Sequence, residues 1–277
     1  GVGDGLIAAF TLAVSAWRRR RGIDESSLLL QLEGHGREEE AAPGADLSRT
    51  VGWFTSVYPV RIDLGGIDVD AALAGTADTS RAVKAVKENL LALPARGLGF
   101  GLLRHLNSET AAPLANLPTP QVSFNYLGRV SDADIPEEFA HLGWTPTTDI
   151  GDLGGVGNDD MPAAAVLDIN AIVTGVDGES RLTATLSYPR ELLSAADVQE
   201  LADLWTSALI TVAAYVDSGR VGGLTPSDVP LVAVGQRDLE LWEEQYPALS
   251  DVWSLSPLQH GLAFHAQLAQ DTVDVYT

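Results

Sequence analysis

Apolar positions recur along this 277-residue chain with two different periods, and the change from one to the other predicts a mixed fold. After Asp4, a predicted helix N-cap, the residues Leu6, Ile7, Phe10, Leu12, Val14 and Trp17 are dense enough for a buried helix. It ends in Arg18 to Arg21 and Gly22. Leu28 to Leu32 predicts a buried strand, and Val60, Ile62 and Leu64 alternate with Arg61 and Asp63, the period-two mark of a strand with one buried face. Val83, Val86, Leu90 and Leu93 return to helical spacing until Pro94 stops them. Gln121 to Leu127 predicts another strand, closed by Gly128. Leu167, Ile169, Ala171 and Val173, followed by Leu182, Ala184 and Leu186, predict a hairpin that turns at Asp177 and Gly178. Ser194, with Asp197 three residues on, starts a long amphipathic helix through Leu201, Trp205, Leu209 and Val212 to Gly219. The elements keep no regular β-α-β beat, so the predicted class is α/β of the α+β type. It is a mixed sheet with helices packed on one face, in preference to a doubly wound parallel sheet. Past Pro230 the pattern restarts with a charged helical piece, residues 236–245, then Tyr246-Pro247 and a fresh apolar beginning at Val252. A linker and the start of another domain would account for that.

Composition narrows the partners. Apolar residues make up 45% of the chain and charged ones 20%, enough for a sizeable core. Seventeen Lys and Arg against 38 Asp and Glu leave a formal charge of −21, which repels phosphate backbones and anionic bilayers. Neither nucleic acid nor membrane is expected as a partner. The absence of Cys removes disulfides, thiolate zinc sites and a Cys nucleophile, and the five His form no HExxH pairing. No metal is expected. No apolar run reaches 18 residues, and the opening GVGDGLIAAF lacks both an initiator Met and the order of a signal peptide. The expectation is a cytoplasmic chain cut from something longer.

Most local motifs reduce to structure. The four arginines at 18–21 suit the negative end of a helix dipole and read as a solvated helix end instead of a binding patch. The glycine-rich PARGLGFG, residues 94–101, follows a helix and carries no Lys-Ser/Thr, so it does not read as a nucleotide loop. DLGGVG, residues 152–157, has no Ser after its paired glycines and cannot accept a phosphopantetheine arm. His260 and His265 are five apart, a poor spacing for a shared metal on a helix face. EGHGRE, residues 33–38, is different in kind: a polar turn is expected at the end of an apolar strand, with Gln31, Glu33 and His35 on one side and Leu30 and Leu32 on the other. A carboxylate at a strand end in a partly dry cleft can move protons; the plain alternative is a surface ion pair of Glu33 or Glu38 with Arg37.

Taken in order, EGHGRE, then DLSRTVGWFTSVYPVRIDL (residues 46–64), then PARGLGFG, then FNYLG (residues 124–128) resemble the motif series of the epimerization domains of nonribosomal peptide synthetases. TPSDVPL, residues 225–231, is similar to that family's closing segment, and LSPLQHGLAFH, residues 255–265, to the opening of a condensation domain. The resemblance implies three parts. Residues 1–232 would be the carboxy-terminal lobe of an epimerization domain, residues 233–250 a linker, and residues 251–277 the amino-terminal start of a condensation domain. It also implies the lobe type of chloramphenicol acetyltransferase and other CoA-dependent acyltransferases. The family's HHxxxDG segment lies on the other lobe, and no His-His pair occurs in this sequence.

What the resemblance implies chemically is equilibration of L and D configurations at the α-carbon of an aminoacyl or peptidyl thioester. No cofactor is bound directly; the substrate rides on the 4'-phosphopantetheine of a peptidyl carrier protein, with adenylation and condensation domains as neighbours. Glu33 would act as general base or acid. Arg37 would orient Glu33 or neutralise charge near it, with a purely structural ion pair as the alternative. Asn125 is expected at the reacting group. Tyr126, on the opposite strand face, is either a second candidate or core. His35 could titrate usefully or be a hydrogen-bonded structural His. Trp53, Phe54 and Tyr58 are expected to pack a tunnel wall or the core. Two competing functions stay open: a condensation-domain lobe that forms peptide bonds, and a degenerate lobe that only docks carrier proteins.

Overall fold

The computed structural model describes residues 1–39, 43–131, 161–176, 179–219 and 222–268. The chain divides into two compact units, Gly1–Arg220 and Val221–Thr277. The first unit is built on five strands: β1 (Ser27–His35), β2 (Thr55–Asp63), β3 (Val122–Ser131), β4 (Leu167–Val176) and β5 (Glu179–Ser187). Their order across the sheet is β2-β1-β3-β4-β5. The inner pairs β1–β3 and β3–β4 are parallel and the outer pairs β1–β2 and β4–β5 antiparallel, so the sheet is mixed. The turn predicted at Asp177 and Gly178 lies outside the described residues, as does DLGGVG.

Strand alternation decides which face is covered. Leu28, Leu30 and Leu32 on β1, Val60 and Ile62 on β2, Phe124 on β3 and Leu167, Ile169 and Ala171 on β4 are all buried on one side. Against them pack α1 (Val2–Arg19), α3 (Ala77–Leu91) and α6 (Ala195–Asp217). In α1 every residue from Leu6 to Ala16 is buried, which is why its sequence is apolar all round instead of striped. Phe10, Phe124 and Trp205 meet at ring-centre distances of 5.5–5.8 Å, joining α1, β3 and α6 at the middle of the core. The Trp205 indole donates to the Leu6 carbonyl at 3.2 Å, so its one polar atom is satisfied there. Between β2 and α3 lies the short α2 (Val69–Leu73), capped by Asp68, whose carboxylate accepts from the Asp70 and Ala71 amides.

Several expectations change in the details. Helix α1 starts at Val2, so Asp4 sits in its first turn and is not the cap. The arginine cluster is engaged within the fold: Arg20 meets Glu200 at 2.7 Å, and Arg21 reaches Asp197 at 2.6 Å and Glu200 at 2.8 Å on α6. Arg21 also lies over the Trp17 ring, 3.8 Å from its centre. Glu33, Gly34 and His35 are not a turn; they continue β1 opposite Val57, Ser56 and Thr55. Gly128 does not end its strand either. At φ 85 it sits in a bulge between Tyr126 and Arg129, one extra residue relative to β4, and β3 runs on to Ser131. Finally, Trp53 is 91% exposed, so it is not part of this unit's core. Helices also do not keep wholly to one face. The short α4 (Gly99–His105) and α5 (Ala111–Ala115) roof a groove of about 530 Å³ whose floor is Leu29, Gln31, Pro59 and Arg61, the opposite side of β1 and β2.

The second unit holds α7 (Gln236–Gln245), where Leu239 is fully buried, and α8 (Pro257–Leu268), where Leu258 and Phe264 are exposed. Thr225 and Asp228 cap a short turn: the Asp228 carboxylate accepts from both the amide and the hydroxyl of Thr225. Among the described residues no helix is long and apolar enough to cross a membrane.

Candidate functional site

Near the carboxyl end of β1 and beside Phe124 and Tyr126 in the first half of β3, a crevice opens on the face that α1 and α3 cover. It is a cavity of about 490 Å³, within the ordinary range for small-molecule sites. Leu32, Phe124, Leu90 and Leu93 give it apolar walls, and Gly3 and Ile7 close it from the first turns of α1. Six polar side chains line it: Asp4, Glu33, Tyr58, Lys87, Arg96 and Tyr126.

Glu33 is half-buried at the end of β1. Its partner across the antiparallel ladder is Val57, which sets it in the row of Leu29 and Gln31. It follows Leu32, the last β1 residue paired with β3, opposite Phe124. At this strand end it reaches the cavity edge as well. Tyr126 faces the cavity beside Phe124, whereas Asn125 points to the other side of the sheet, buried at 7% exposure. There its Nδ2 donates to Oδ1 of Asn170 at 3.2 Å. The bulge falls after Tyr126 and leaves the two neighbours on opposite faces. Glu33 and Tyr126 therefore share the cavity, and Glu33 and Asn125 share a sheet face. Arg37 donates from Nε and Nη2 to the Thr50 carbonyl at 3.3 and 3.0 Å, and its guanidinium covers the Phe54 ring at 4.8 Å. That anchors the loop before β2. His35 ends β1 opposite Thr55; its side chain lies outside the described residues.

Tyr58 does more than pack. Its ring is half-buried; a Cβ added to Gly97 would overlap ring atom Cγ, and one added to Gly34 would lie 3.4 Å from Cε1. Gly97, from PARGLGFG, thus makes room for the ring, whereas a Cβ at Gly34 would crowd the Ser56 hydroxyl at 2.8 Å. Burial, and to a lesser degree the charge of Glu38, pushes the Tyr58 hydroxyl above its ordinary pKa, so it stays a neutral donor at any working pH. The turn that supplies Gly97 is strained: Ala95 and Arg96 both adopt left-handed φ, 45° and 49°, which costs about 1–2 kcal/mol per residue. Arg96, in that turn, lines the cavity. Lys87 and Arg96 were invisible as site residues in the sequence, because a single cation at a helical position carries no signature. Among the described residues no group of three His, Asp or Glu could hold a metal ion.

The chain is similar to proteins of one kind. It is 36% identical over 275 residues to one of the linear gramicidin synthase proteins of Brevibacillus parabrevis, and 30% identical over 240 residues to tyrocidine synthase 1 of the same organism. Those alignments cover 99% and 86% of this chain but 3% and 20% of the relatives, so the chain spans a small part of each. Among solved structures it is similar to the epimerization domain from the third module of tyrocidine synthetase B. The two share 30% identity and a TM-score of 0.59 over 78% of this chain and 43% of that one. The shared architecture is one lobe of the chloramphenicol acetyltransferase-like fold. The model of the condensation domain matches residues 4–220, the whole sheet-and-helix unit just described, and the chain therefore belongs to the condensation-domain family.

Proposed function

We propose that this chain is part of a nonribosomal peptide synthetase and supplies one wall of an epimerization site. Residues 1–232 form the carboxy-terminal lobe, 233–250 the connection, and 251–277 the beginning of a condensation domain. The observation that carries the reading is Glu33, a carboxylate at the edge of a largely apolar crevice, on a chain whose described fold is similar at 30% identity to a solved epimerization domain. The motif order from EGHGRE to FNYLG supports the same reading.

The substrate is an aminoacyl or peptidyl thioester on the phosphopantetheine of a carrier protein. Sulfur donates poorly into the carbonyl, so the α-proton is more acidic than in an ester or amide. Glu33 takes that proton, the C–H electron pair moves into the carbonyl, and an enolate forms. A donor on the opposite face, which the family carries on its other lobe, returns a proton to the α-carbon and inverts it. In the reverse direction the two groups exchange roles. Tyr58 and Tyr126 bring neutral hydroxyls to the same cavity, and Lys87 and Arg96 bring positive charge that favours a developing oxyanion.

Condensation is the second reading, favoured by the family match itself. Product analysis separates the two. The synthetase, loaded with the amino acid it activates and run in D2O, is expected to release a mixture of D and L amino acid carrying deuterium at the α-carbon. Peptide bond formation without α-exchange would assign the lobe to condensation instead.

A further inference from the structure

Four hydrogen-bond donors line the crevice besides its carboxylates, Tyr58, Lys87, Arg96 and Tyr126, and they differ in how firmly each is held. A donor to a developing oxyanion is most effective when it is fixed before the reaction begins. Tyr58 is held on two sides. Farther along β2, Val60 and Ile62 are buried under the helices, and strand alternation turns Tyr58 to that same face, across from Leu32. Gly97 lies flush against the base of the ring, where an added Cβ would overlap Cγ, Cδ1 and Cδ2. At the other end Cε1, the atom next to the hydroxyl-bearing carbon, lies 3.4 Å from where a Cβ on Gly34 would stand. Gly34 follows Glu33, so the hydroxyl end of the ring lies beside the carboxylate's neighbour in the chain. The hydroxyl makes no hydrogen bond among the described residues, and burial keeps it protonated. The other three differ. Lys87 already interacts with another residue. Arg96 carries its charge at the end of a long side chain that has more freedom to lose. The Tyr126 ring lies toward α1, with Cδ1 4.0 Å from where a Cβ on Gly3 would stand.

We propose that the Tyr58 hydroxyl is the catalytic donor that meets the thioester carbonyl oxygen in this crevice. This rests on the epimerase reading and deepens it by assigning a partner to that oxygen. As Glu33 takes the α-proton, the C–H electron pair moves into the carbonyl and negative charge grows on the oxygen. The hydrogen bond from Tyr58 strengthens with that charge, while the proton stays on the phenol. When the α-carbon is reprotonated from the opposite face, the electron pair returns to carbon and the bond weakens again. An interaction stronger with the enolate than with the thioester lowers the barrier instead of merely holding the substrate.

The test uses the full-length synthetase, with substrate supplied on a separate carrier protein loaded with the amino acid the synthetase activates. α-Proton exchange is followed for wild type, Tyr58→Phe, Tyr126→Phe and Glu33→Gln. Tyr58→Phe removes one oxygen and leaves the ring against Gly97. It is expected to lower kcat by about a hundredfold or more, with KM within about twofold of wild type and the thermal midpoint unchanged. Wild-type kcat in Tyr58→Phe, or a raised KM with kcat intact, overturns the assignment. A fall in kcat that comes with a lower thermal midpoint also overturns it, because the hydroxyl then serves the fold. A loss that follows Tyr126→Phe and spares Tyr58→Phe moves the donor to β3 and overturns it as well. In each of these cases an inactive Glu33→Gln leaves the epimerase reading standing. Full activity in Glu33→Gln removes that reading, and the proposal with it.

Discussion

At the scale of single residues, the contact between Gly97 and Tyr58 makes the sharpest stability prediction. A methyl at position 97 would overlap the ring while the backbone sits at φ +83°, so Gly97→Ala combines a steric clash with a left-handed alanine. A loss of about 2–4 kcal/mol is expected in urea denaturation. Trp53 is the contrasting case: at 91% exposure, Trp53→Ala should change stability by no more than about 0.5 kcal/mol. The sequence alone suggests the reverse ranking, because an aromatic beside a strand looks like core and a glycine in a loop looks dispensable. What it lacks is the neighbour. Trp53 has none to bury it, whereas Gly97 is glycine because a tyrosine more than 20 residues away lies against it. Asn125 and Tyr126 could be assigned to opposite faces from strand alternation alone. Which of the two shares the crevice with Glu33 depends on which face the helices cover.

At the scale of elements, α1 and α6 are joined in two ways with different sensitivities. The Phe10–Phe124–Trp205 cluster is apolar, and Trp205→Ala should cost about 3–5 kcal/mol at any pH in which the protein folds. The other tie is ionic. Hydrogen bonds from Ser194 and then Arg21 hold the Asp197 carboxyl below its ordinary range, and those from Arg20 and Arg21 do the same for Glu200. A carboxyl with a depressed folded pKa adds stability that is complete above its unfolded value and disappears as the pH falls through the folded one. Thermal midpoints should therefore drop as the pH goes below about 4, and Arg21→Ala should flatten that part of the profile. Both groups face water, so added salt should weaken the tie as well. Hydrophobic spacing made the five strands and the long helices α1, α3 and α6 legible, including the Ser194 cap and the closing hairpin, but not the short α2, α4 and α5. It misjudged where strands stop. EGH reads as a turn and Gly128 as a terminator, yet β1 and β3 continue because a neighbouring strand pairs with them, and a bulge absorbs the glycine.

At the scale of the molecule, the mixed sheet brings two segments about 90 residues apart side by side, and a crevice opens against them. Parallel pairing of β1 with β3 is what brings Glu33 and Tyr126 to one cavity, and no local motif encodes that pairing. The hydrogen bond from Asn125 to Asn170 was hidden for the same reason, since it exists only through register between β3 and β4. On the epimerase reading proposed above, the second proton donor lies on another lobe. The 277-residue segment expressed by itself is thus expected to show no α-proton exchange on a carrier-bound aminoacyl thioester, and the full synthetase to show it. The most direct measurement is that exchange in the full synthetase, wild type against Glu33→Gln, read as deuterium incorporated at the α-carbon from D2O. Loss of incorporation in the variant, with its fold intact by circular dichroism, is the predicted result; incorporation at the wild-type rate would contradict the assignment of Glu33.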